Sequence, residues 1–260
     1  MLLKTIMWKM GFPVCSRSPD FLRSIAADLT GMRSFSKQLG EHPALPWVMP
    51  FFLYMAFVML QGVAAKSSAV FAFDLRLIYP CKVLCVALLL VFLWRRYGEL
   101  AQFSLRLHEM LWSVVVGVAV FLLWIGLNQG WMSMGQSAGY DPRNLSGNID
   151  WSLALPRLLG AALVVPVMEE LFWRSFMLRW LARSEFASVS PAQVGLRALL
   201  ISSVMFGAEH TLWLAGIVAG LAYGALYMKS KKLWAPVLAH ATTNGMLGLW
   251  VLHTGQWSFW

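Results

Sequence analysis

Long, unbroken apolar runs recur along this chain, near residues 46–65, 75–94, 111–128, 153–181, 196–212, 213–228 and 233–252. A helix needs about 20 apolar residues to cross ~30 Å of hydrocarbon, and in lipid only helices and closed barrels satisfy every backbone polar group. Barrel strands would alternate over about ten residues; these runs do not. The pattern predicts an all-α polytopic transmembrane helical bundle of about seven spans, within a range of six to eight. The least secure boundary is around Thr211 to Leu214, where almost nothing separates the fifth and sixth runs, so a re-entrant pair or a tight helical hairpin can replace two full crossings.

Composition agrees, since hydrophobic residues are 59% of the 260 and charged ones only 13%, against roughly a quarter charged in a soluble domain. The mean hydropathy is +0.63. A net charge of +9 raises the question of nucleic acid, but no stretch interleaves basic and aromatic residues on a polar background, which excludes that class. Instead, fifteen of the 21 basic residues fall on one side of the apolar runs, in the N-terminal tail and near Arg95, Arg106, Arg183 and Lys231. By the positive-inside rule this predicts a cytoplasmic N-terminus and an external C-terminus. Residues 1–45 read as a basic N-terminal cytoplasmic segment, amphipathic or loosely ordered, and 46–260 as the transmembrane domain. The N-terminus lacks a signal-peptide apolar core. Cys15, Cys81 and Cys85 make no disulfide framework and read as free thiols. The Gly-rich stretch from Gln129 to Asp150 reads as an external loop.

Three short motifs carry polar chemistry into these apolar runs. The fourth contains Glu169, Glu170 and Arg174, each costing about 2.5–3.5 kcal/mol at mid-membrane if left alone. Glu170 and Arg174, four apart, share a helical face and can pair. Glu169 points about 100° away and is left as a free carboxylate, a candidate general base. An ion-pair network that only fixes packing is the bland alternative. Pro166, one turn earlier, loosens the helix backbone near this cluster. In the fifth run His210 follows Phe206 by four residues, on one face, with Glu209 beside it as its partner or facing a vestibule. In the seventh, His240 and Asn244 stand one turn apart, two hydrogen-bond donors that suit a developing oxyanion or serve as interhelical glue.

Glu-Glu-x-x-x-Arg, Phe-x-x-x-His and His-x-x-x-Asn, in this order on separate apolar helices over about residues 150–250, resemble the CPBP family of CAAX-type intramembrane proteases and bacteriocin-processing enzymes. A subgroup of that family accompanies exosortase protein-sorting systems. The resemblance implies an intramembrane endopeptidase acting on a membrane-anchored or lipidated protein or peptide. In it Glu169 and His210 activate water, His240 and Asn244 form the oxyanion hole, and Glu170, Arg174 and Phe206 support them. It implies a glutamate peptidase without cofactor. Zinc, held by two His and a carboxylate, is the lesser reading because HExxH is missing. The bacterial inner membrane is the expected location.

Two other functions fit the same residues. A non-enzymatic membrane immunity or scaffold protein would keep the polar cluster for partner binding. A proton-coupled transporter fits less well, because inverted halves are not visible. The depths also conflict: His210 falls near the outer end of its run, Glu169 at mid-helix, and His240 about 10 Å from the inner end.

Overall fold

A computed structural model describes residues 42–66, 74–135, 137 and 139–260. The expected N-terminal segment 1–45, Cys15 included, lies almost wholly outside them. Among the described residues seven helices follow in order: α1 Leu45–Lys66, α2 Ile78–Leu93, α3 Leu107–Gly126, α4 Trp151–Leu178, α5 Leu196–Ala208, α6 Trp213–Ser230 and α7 Trp234–Thr254. No strand is present among the described residues; one isolated bridge joins Arg143 to Ile149.

Apolar side chains face outward as well as forming the core, and a charged cluster lies buried within it. Val91 and Phe92 of α2 are 71% and 82% exposed, whereas Glu170 and Arg174 are 0% and 2% exposed. That inversion suits a hydrocarbon solvent, where charged groups turn to the bundle interior. Four helical stretches, Leu45–Ala65, Leu75–Arg96, Leu107–Gly126 and Trp151–Leu178, are long and apolar enough to cross a membrane. The all-α membrane bundle read from the sequence therefore holds.

The fifth span is shorter than its apolar run. α5 ends at Ala208 after 13 residues, about 20 Å at 1.5 Å per residue, so it falls short of a full crossing. Residues 209–212 then turn the chain back into α6. Gly216, Gly220 and Gly224 of α6 make the pairing close. A Cβ on Gly216 would lie 2.8 Å from Gly207 Cα, and one on Gly220 2.8 Å from Ser203 Cα. Side chains larger than hydrogen would push the helices apart, the small-residue logic of membrane helix pairs. The turn is capped by the loop after α3, where Met134 N–H donates to Thr211 O at 2.7 Å and Trp213 Nε1 to Trp131 O at 2.9 Å. The tight hairpin is thus the alternative that the structure adopts.

α4 is continuous but not uniform. Its α-helical segments Trp151–Leu159 and Val165–Glu170 are followed by π turns, Gly160–Val164 and Leu171–Leu178. Within the first of these, Val165 N–H donates to Gly160 O. Continuing that π pattern, Ala161 O would require an N–H from residue 166, and Pro166 has none. The carbonyl is left for a side chain. Long α7 lies against α3, α4 and α6, and Thr243 of α7 donates to Gly117 O of α3 at 2.8 Å.

Candidate active site

All four residues expected to do chemistry line one cavity. A space of about 200 Å³ is walled by Glu169 of α4, Phe206 of α5, His210 of the α5–α6 turn, and His240 and Asn244 of α7. The depth conflict disappears because α5 is short. Its end, and His210 with it, lies beside the middle of α4 rather than at the bundle surface. A second cavity of about 280 Å³, walled in part by Asn128, Ser133 and Thr211, shares Trp124, His210, Phe259 and Trp260 with the first and forms a vestibule to it.

The two histidines and Asn244 are fixed from behind. His210 Nδ1 lies 2.7 Å from Phe206 O. A carbonyl only accepts, so Nδ1 carries the proton and Nε2 is left with a lone pair. His240 Nδ1 lies 2.9 Å from Glu170 Oε1, and Nε2 of the same ring stands 4.0 Å from Glu169 Oε2. The Tyr223 ring stacks on the His240 imidazole, centroids 5.0 Å apart and planes 22° from parallel. Its hydroxyl donates to Thr243 Oγ1 at 2.7 Å. Asn244 Nδ2 donates to Ala161 O at 2.9 Å, the carbonyl that Pro166 leaves free.

Glu170 and Arg174 pair as their spacing predicts, with Nε 3.0 Å from Glu170 Oε2. The link from Glu170 on to His240 was not legible in the sequence, because it joins helices 70 residues apart. The Arg174 guanidinium sits 4.5 Å above the Phe206 ring and 5.4 Å from that of Tyr223, the aromatic faces standing in for a second carboxylate. Phe206 therefore supports both His210 and Arg174. Buried Glu169 Oε2 has no hydrogen-bond partner among the described residues.

Glu209, left open between two roles by the sequence, joins the site. Trp173 Nε1 donates to its Oε1 at 2.9 Å. Ligand atoms of Glu169, Glu209 and His210 all lie within 4.8 Å of one another, so these three could hold a divalent cation. They differ from the two-His set expected for zinc: Glu209 takes the place of His240.

Residues 151–246 match the family described as Type II CAAX prenyl endopeptidase Rce1-like, a segment that contains all three motifs. That region of the chain is thus similar to the CAAX proteases to which the motifs point. A further relative is the Bacillus subtilis (strain 168) protein named "Putative membrane peptidase YdiL", 27% identical over 110 residues. That alignment covers 41% of this chain and 42% of the relative, so the chain spans less than half the length of the curated protein it matches. No solved structure matches the chain.

Proposed function

We propose that this protein is an intramembrane endopeptidase of the glutamate type, cutting a peptide bond of a membrane-anchored or lipidated protein or peptide. The observation that carries the reading is the convergence of Glu169, His210, His240 and Asn244 on one cavity. A membrane endopeptidase is also what the family match and the name of the Bacillus relative describe.

In this reading a water sits between the unpartnered Glu169 Oε2 and the His210 Nε2 lone pair. Glu169 takes its proton and the hydroxide attacks the peptide carbonyl. The carbonyl oxygen becomes an oxyanion, received by the second amide hydrogen of Asn244 and by His240 Nε2–H, the ring carrying a proton on both nitrogens with Nδ1–H given to Glu170. When the C–N bond breaks, the leaving nitrogen takes the proton from Glu169. Glu170 and Arg174 hold His240 in place and touch no substrate. Such preorganised donors contribute about 3–4 kcal/mol each to a transition state in a dry site, and a placed general base contributes about 10²–10⁴-fold.

The chemistry is written without a metal, and cleavage should persist with a strong chelator present. The protein should sit in a bacterial inner membrane with its N-terminus cytoplasmic, as the basic loops suggest. The test compares detergent-purified wild type, Glu169→Ala and His210→Ala on a fluorogenic lipidated-peptide library, with and without chelator. Loss of cleavage in both variants, with wild-type rates indifferent to chelator, is expected. Full activity in either variant would sink the water-activation scheme, and abolition by chelator would move the reaction to a metal.

A further inference from the structure

Two cations near the cavity, the half-buried Arg157 and the buried Lys82, have no part in that chemistry. Arg157 of α4 lines the cavity that holds Glu169. Its Nε is buried without a hydrogen-bond partner, and its guanidinium sits 4.3 Å from the Tyr79 ring and 5.5 Å from that of Tyr140. Lys82 of α2 is 3% exposed, its Nζ 4.0 Å from the Tyr54 ring and 4.8 Å from that of Tyr79. Among the described residues neither makes an ion pair with a carboxylate, while Arg174 and Arg179 each do. Both cations therefore bear on Tyr79, which together with Tyr54 walls the cavity.

Aromatic faces return only part of what a cation loses on leaving water, about 2 kcal/mol or somewhat more when desolvated. Two such groups bearing on one ring, with no carboxylate partner among the described residues, form a place suited to receive an anion. Resting on the peptidase reading, we infer that Arg157, backed by Lys82, is a subsite for an acidic group of the substrate. The geometry limits where that group lies. Arg157, Ala161, Val165 and Glu169 recur every four residues along α4, and all four line the cavity. Twelve residues of helix rise about 18 Å, which an extended peptide covers in about five residues. The acidic group thus falls within about five residues of the scissile bond. A free C-terminal carboxylate meets that description, and so does an acidic side chain.

The test uses full-length Glu169→Gln in detergent, so that binding is read without turnover. The probe is an apolar pentapeptide with an N-terminal fluorophore, as free acid, as C-terminal amide, and as an amide carrying one internal Glu. Fluorescence anisotropy should show the free acid, the Glu-bearing amide or both binding at least about tenfold more tightly than the plain amide, the scale of a charge-assisted hydrogen bond. Whichever gains identifies the source of the acidic group. Adding Arg157→Gln should erase the preference, while Arg157→Lys, which keeps the charge, should retain most of it. Equal affinities for all three peptides, no binding by any, or a preference untouched by Arg157→Gln would overturn the subsite. So would a preference abolished by phosphatidylglycerol but not by phosphatidylcholine, which would give the cations to a lipid headgroup. Wild-type cleavage is followed separately: a preference without cleavage keeps the subsite and removes the peptidase, and cleavage without a preference does the reverse.

Discussion

Helix α4 carries two buried charged clusters on successive turns, and they are built in opposite ways. At its C-terminal cap, Arg179 Nη2 donates to Glu99 Oε2 at 2.8 Å and to Ser175 Oγ at 2.7 Å, and Arg179 Nε donates to Ser175 O. Tyr227 and the Ser175 hydroxyl both donate to Glu99, and Trp47 Nε1 donates to Ser175 Oγ at 2.9 Å. One turn earlier, Glu169 Oε2 and both terminal nitrogens of Arg174 have no hydrogen-bond partner among the described residues, and Glu170 Oε2 touches Arg174 Nε without hydrogen-bond alignment. A saturated cluster ties α1, α4, α6 and the loop after α2 together. An unsaturated one that opens on a cavity retains atoms for a reacting molecule.

If that contrast is right, mutations should separate it. The largest effect falls on catalysis: Asn244→Ala should lower kcat by about 10²–10³-fold through loss of an oxyanion donor, with KM little changed in steady-state assays. An equal loss spread over kcat and KM would argue that Asn244 only binds Ala161.

Next comes Glu170→Gln, which takes the negative charge from between Arg174 and His240. Breaking a buried pair costs about 3–5 kcal/mol, so the midpoint of thermal unfolding in detergent should fall and activity should fall with it. Unchanged stability with lost activity would make Glu170 a reacting group instead of a positioning one.

The saturated cluster should respond to Arg179→Met in stability alone. Glu99 is about a quarter exposed, so the cost should be smaller, roughly 1–3 kcal/mol. Cleavage per folded molecule should stay near wild type. A selective loss of kcat would erase the distinction between the clusters.

The smallest effect lies in the loop before α4 and in the turn before α2, whose Arg76 donates to the Asp141 and Arg143 carbonyls. Hydrogen bonds from the Arg76 side chain hold the Asp74 carboxyl below its ordinary value of 3.8, and those from Arg143 do the same for Asp141. A depressed folded-state value gives stability that is complete above the unfolded value and is lost as pH falls through the folded one. Hydrogen exchange around Asp141 to Asp150 should therefore be unchanged from pH 7 to pH 5 and should rise, after correction for intrinsic rates, only below about pH 4. Loosening already at pH 6 would point to a histidine.

Much of this was legible in the chain, for identifiable reasons. Hydropathy locates each helix because lipid demands continuous apolar length, and Glu169, His210, His240 and Asn244 stand out because charged and polar groups in such runs are costly. The end of α5 was legible only to within four residues, the run being drawn to 212 and the helix stopping at Ala208, since Thr211-Leu-Trp-Leu214 is nearly as apolar as the helix before it. The spacing of Gly216, Gly220 and Gly224 does carry a close-packing signal, and it foretells the α5–α6 hairpin. Glu209, Tyr223 and Arg157 gain their places from contacts between helices distant in sequence, which no local pattern encodes. Among its described residues the loop from Gln129 to Asp150 is irregular, as read, apart from a short 3₁₀ turn at Gly130–Met132 and the bridge between Arg143 and Ile149.

The central claim is that Glu169 is a base left free on purpose within an otherwise braced site. Single-turnover cleavage of a membrane-anchored fluorogenic peptide by Glu169→Gln, measured beside its thermal unfolding, tests it most directly. The expected result is a rate lower by about 10²–10⁴-fold with an unfolding midpoint at or above that of the wild type, since no hydrogen bond to Oε2 is lost. A wild-type rate, or a rate lost only together with the fold, would contradict it.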